Sequence, residues 1–160
     1  MKKRTKRKVW NLVNPIAHAI DGACITPANL LSKIHMRELS SIEALATGTA
    51  GLAEWHDLVA VSNLSETLAT LGVGGKEVLD ACKSAEKELI EAAERYQKIG
   101  KMGLSGPGIQ AMRDILEWHH LQRTSISRAD YSEAIRLTAA RAKTSNATID
   151  LTEKLGRAKT

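Results

Sequence analysis

KEVLDACKSAEKELIEAAERYQKI (residues 76–99) is the stretch that decides the fold. Its apolar positions Val78, Cys82, Ala85, Leu89, Ala92, Tyr96 and Ile99 recur at alternating spacings of four and three. That period lays one narrow apolar stripe along a helix, with Glu and Lys around it. The spacing resembles a coiled-coil seam. Cys and Ala within the seam favour packing inside an intramolecular bundle instead.

The segments on either side carry helix punctuation too. Upstream, Gly72, Gly74 and Gly75 break the chain, and before them a helix runs from a Thr49 cap to Leu71. Leu52, Trp55, Leu58, Val59, Val61, Leu68 and Leu71 supply its buried side. Thr26-Pro27 opens an earlier helix that reaches Thr47, with Leu31, Ile34, Leu39, Ile42 and Leu45 inward and Gly48 closing it. Asn14-Pro15 uses the same device to open a short helix that Gly22 ends. Downstream, GKMGLSGPG (100–108) reads as a flexible loop. Pro107 then opens a helix through Ile109, Met112, Leu116 and His119 to about Arg123. Ser127 and Asp130 form a capping box, with Ile126 and Tyr131 placed as a hydrophobic staple, and start a last helix to Lys143. The tail from Thr144 is polar, with at most one more turn between Ile149 and Leu155. No strand pattern or internal repeat appears. The expected fold is all-α: a single-domain bundle of about five or six helices over residues 9–143, with a basic arm at 1–8 and a polar tail at 144–160.

Composition agrees. The chain has 160 residues, 43% of them apolar, with three Trp, two Tyr and no Phe. That is long enough for one core, filled mainly by Ala, Leu and Ile. Cys24 and Cys82 stand far apart in no metal-ligand spacing, which suits two free thiols in a reducing compartment. No apolar run approaches the ~18 residues of a membrane span. WNLVNPIAHAIDGAC (10–24) is interrupted by Asn, Pro, His and Asp, and makes a poor signal-peptide core. The expected location is the cytoplasm, with the lead segment retained.

Charge is the strongest functional signal. Lys2, Lys3, Arg4, Lys6, Arg7 and Lys8 precede any acidic residue, the first being Asp21. The chain carries a formal charge of +5, all of it attributable to that arm. A clustered cationic segment attracts polyanions, of which nucleic acid is the commonest. Trp10 at the root of the arm is placed either to stack on a base or to plug the core with Val13 and Ile16. A second basic set, Arg123, Arg128, Arg136, Arg141 and Lys143, lies in the last 40 residues. Ser125 and Ser127 with Arg128 could hold a phosphate at a helix start, or simply cap it. A sequence-reading helix-turn-helix fits poorly, because TSIS (124–127) lacks glycine and Asp130 and Glu133 would face phosphates.

Other chemistry is thinner. Glu54-Trp55-His56 and Glu117-Trp118-His119 share an E-W-H pattern. Glu117 and His120 have the Glu-x-x-His spacing of di-iron bundles, while His35 to Glu38 runs in the reverse order. The ligand set is incomplete, so the tryptophans are read as core anchors with the flanking Glu, His and Asp at the surface. GVGGK (72–76) lacks the Ser or Thr of a P-loop, and GLSGPG (103–108) has a proline where N–H donors would be needed. Both read as helix breaks. No nucleophile motif is present, and neither a cofactor nor a metal is expected.

KRTKRKVWNLVNPIAHAI (3–20) and LQRTSISRADY (121–131) resemble segments of small uncharacterised helical proteins carried by phages and prophages of Gram-negative bacteria. The resemblance brings no activity or ligand. It implies a bacterial host cytoplasm and a partner-binding role. Two functional expectations result. The first is a non-enzymatic nucleic-acid-binding accessory protein that contacts DNA or RNA phosphate through its arm. The second is an inhibitor or adaptor of a host defence or replication complex, using the acidic helix that bears Glu86, Glu88, Glu91 and Glu94.

Overall fold

The computed structural model describes residues 26–144, all within five helices and their connections. They are α1 (Ala28–Thr47), α2 (Leu52–Thr70), α3 (Lys76–Ile99), α4 (Gly106–Ser125) and α5 (Arg128–Lys143). No strand occurs among the described residues. The expected helix at 14–22, the basic arm with Trp10, Cys24 and the tail beyond Thr144 lie outside them.

The α3 stripe is buried as its spacing requires. Val78, Cys82, Ala85, Leu89 and Ala92 are all at most 2% exposed. The stripe ends early, however: Ile99 is an exposed residue of the last turn. α2 is the central helix and packs against each of the other four. The sequence suggested one buried side, but Trp55, Leu58, Val59, Val61, Ser62, Ser65 and Leu68 are buried around much of its circumference. Only a narrow strip that includes His56 and Ala60 stays exposed, so the polar face is small and the pattern loses direction. Leu52 and Leu71, expected inside, are exposed at its two ends. Trp55 anchors the centre, donating its indole N–H to the Leu89 carbonyl at 3.0 Å.

The helix ends follow local chemistry. Gly48 closes α1 with φ 72°, the left-handed cap that glycine favours. α2 begins two residues beyond the expected position: the Gly51 N–H donates to the Glu54 carboxylate at 2.8 Å, while Thr49 stays outside the helix. Hydrogen bonds from the backbone amides of Glu54 and Gly51 hold that carboxyl below its usual pKa. Ser105 caps α4 by accepting from the Gly108 N–H at 3.0 Å, and its hydroxyl donates to Glu88. Ser127 caps α5 as expected, accepting from the Asp130 N–H at 3.1 Å.

The segment read as a flexible loop is tied down. Met102 is 1% exposed and belongs to the core, and the Leu104 N–H donates to the Leu45 carbonyl. Arg95 also donates to the Gly103 carbonyl. Glycine-rich composition suggested mobility, but a buried methionine at its centre anchors the loop.

Candidate functional site

The arginines singled out in the sequence are mostly engaged within the bundle. Arg123 was expected at a phosphate-binding surface, and the structure corrects this. It is 4% exposed and makes a two-pronged ion pair with Glu38, Nη1–Oε1 2.8 Å and Nη2–Oε2 3.0 Å. Burial opposes the charge on Arg123, but Glu38 holds the guanidinium above its ordinary pKa. Arg141 donates to Glu66 at 2.8 Å and to the Thr67 hydroxyl at 3.1 Å. Arg136 is exposed and forks onto Glu133 on its own helix. Arg128 is exposed at the first position of α5. Lys2, Lys3, Arg4, Lys6, Arg7, Lys8 and Trp10 lie outside the described residues.

What the bundle holds instead is a buried polar seam. His119 is 1% exposed, although the E-W-H reading put it at the surface. Its Nδ1 meets the Ser65 hydroxyl at 2.9 Å and its Nε2 the Tyr131 hydroxyl at 3.0 Å. Burial, and then the Arg123 charge, push the imidazole down to about 3, so it is neutral at physiological pH. Burial also raises the Tyr131 phenol. Gln122 donates to the carbonyls of Ser65 (3.1 Å) and Val73 (2.7 Å). A Ser–His contact suggests a nucleophile and its base. Ser65 is 0% exposed, so in this fold its hydroxyl is closed off from solvent and packed against the ring.

The tryptophan assignment splits. Trp55 is in the core, while Trp118 stands 36% exposed. The inner face of α4 runs Met112, Ile115, Leu116, His119, Gln122 and Arg123, and Trp118 falls about 100° away from His119. Beside Trp118 lies a groove of about 450 Å³ that also holds Leu121, Glu77, Asp80, Asp114 and Glu117.

The fold does bring the two histidine–glutamate pairs together. The rings of His35 and His120 stand 4.5 Å apart, and neither Nδ1 has a hydrogen-bond partner among the described residues. Burial, then the neighbouring His120, lowers the His35 pKa. Glu38 is already bound to Arg123, which removes one carboxylate from the set. Among the described residues no group of three or more His, Cys, Asp or Glu is arranged to hold a metal. The glycines of GVGGK act structurally. Gly74 has φ 115°, and a Cβ there would stand 2.6 Å from Val78 Cγ2. Cys82 is a buried free thiol, pushed up to about 12 by burial.

Sequence reasoning missed Glu38, Ser65 and Gln122 as members of the seam. The signal was present: Glu38 occupies a stripe position between Leu31 and Ile42, and a polar residue on an apolar stripe asks for a buried partner. No helix of the described residues is long and apolar enough to cross a membrane. No protein-family model matches the chain, and no curated protein or solved structure matches it.

Proposed function

We propose that the protein is a non-enzymatic nucleic-acid-binding accessory protein, phage- or prophage-encoded, whose Lys2–Lys8 segment grips phosphate with little base preference. One observation carries the reading. Residues 26–144 hold 14 Lys and Arg against 15 Asp and Glu, so the positive surplus lies entirely in the flanking segments. Arg123, Arg141 and Arg136 are answered by Glu38, Glu66 and Glu133, which leaves the lead sequence as the concentrated source of cations. Arg123 drops out of the binding set.

The test compares the full chain with one that starts at Val9, on a 20-base-pair duplex and on single-stranded RNA. Six phosphate contacts predict an affinity that falls about 10³-fold between roughly 50 and 200 mM salt. Removing residues 2–8 abolishes most of the binding and flattens the salt slope. Equal binding by both chains would defeat the reading.

A second reading, a protein-binding adaptor, is favoured by exposed Trp118 and Leu121 in their acidic groove, where a basic partner would find both charge and apolar contact. The carboxylates of α3 support it less. Glu88 accepts from Ser105, Glu91 faces Lys87 at 3.9 Å, and Glu86 is half-buried. Capture of one host protein that is lost on Trp118→Ala, and that does not need residues 2–8, would select this reading.

A further inference from the structure

We propose that the cleft over the seam, between α1, α2 and α5, is a binding site for a small uncharged molecule carrying a carbonyl group. The cleft measures about 230 Å³. Ile34, Val61 and Leu64 give it apolar walls, and Arg123, His119 and Tyr131 lie at its polar end.

Three observations define the ligand. The first is an unused donor. Both terminal nitrogens of Arg123 are taken by Glu38, and its Nε makes no hydrogen bond of good geometry among the described residues, although the neighbouring Tyr131 hydroxyl interacts with the guanidinium and the side chain is only 3% exposed. A guanidinium N–H can only donate, so it calls for an acceptor oxygen from the cleft. The Tyr131 hydroxyl is a second polar group at the same end.

The second is charge balance. The cleft is lined by two complete ion pairs, Glu38 with Arg123 and Arg37 with Asp57 at 3.0 Å. An anionic ligand would meet Glu38 and Asp57, and a cationic one would meet Arg37 and Arg123. Neither gains a net partner, so the ligand that fits is uncharged. The third is size. A cavity of about 150 Å³ accepts benzene. The larger volume here takes a six- or seven-membered ring with one carbonyl oxygen, the ring against the apolar walls and the oxygen toward Arg123.

The probe is ε-caprolactam, titrated into the full-length protein and followed by two-dimensional NMR. The expected result is saturable binding in the millimolar range, with shifts centred on Ile34, Leu64 and Tyr131. Ala60 is an exposed residue of the same cleft, so Ala60→Phe fills it without disturbing the core. That variant should stay folded and bind at least tenfold more weakly. Methylcyclohexane, which lacks the oxygen, and hexanoate, which is charged, should each bind at least tenfold more weakly than the lactam. Absence of saturable shifts, equal binding of methylcyclohexane or hexanoate, or unchanged binding to folded Ala60→Phe would each overturn the proposal.

Discussion

Arg123 and Glu38 stand 85 residues apart in the chain and close on each other through two parallel hydrogen bonds. Both side chains are almost wholly out of solvent, at 3% and 9% exposure. Removing one partner leaves the other charge buried and unanswered, which costs about 3–5 kcal/mol. Arg123→Met and Glu38→Leu should each be destabilised by that much in urea unfolding. The double variant should recover most of the loss, because two apolar side chains need no partner. Single variants within about 1 kcal/mol of the parent would mean that the pair is effectively solvated.

His119 sets a pH dependence of definite sign. Its folded-state pKa of about 3 lies below the ordinary 6.5. Between those values the unfolded chain binds a proton that the folded chain excludes. Stability is therefore whole above about pH 6.5 and falls as pH drops toward about 3, by up to roughly 1.4 kcal/mol per pH unit. The lowered pKa of His35 acts in the same direction. Urea melts at pH 7.5, 6.0 and 5.0 should show the decline. His119→Gln should be less stable at pH 7.5 but lose less on acidification, and an unchanged slope would refute the assignment.

The two described tryptophans should respond unequally to truncation. Trp55→Ala removes a fully buried ring and its bond to Leu89, and should lose about 3–5 kcal/mol. Trp118→Ala should change stability by about 1 kcal/mol or less, because that ring is partly solvated. Thermal melts of the two variants check the contrast.

Met102 anchors residues 100–105 to the core. Met102→Ala should lose about 2–5 kcal/mol, as other buried methionines do. Limited proteolysis should spare Lys101 in the parent and cleave there in the variant. Early cleavage in the parent would restore the flexible-loop reading.

The helices were legible because their signals are local. Gly48, Ser127 and the α3 stripe each act within a turn or two of their own position, and the structure follows them closely. The seam was not legible as a unit, because its partners other than the His119–Tyr131 pair lie 49 to 85 residues apart. Glu38 and His119 could each be seen on an apolar stripe, but no pattern along the chain says which buried groups will meet. Trp118 shows the reverse error. Its size suggested the core, while its angular position on α4 placed it outside. Met102 escaped notice because two apolar residues among glycines, Met102 and Leu104, are too few to set a period.

The placement of His119 between two hydroxyls has a consequence of its own. Ser65 and Tyr131 can each give or take a hydrogen, so the ring is satisfied with its N–H on either side. Turning the two O–H bonds and relocating one hydrogen interconverts these arrangements while every carbon, nitrogen and oxygen stays still. The middle of the bundle thus has a fixed framework that accommodates either tautomer of the ring.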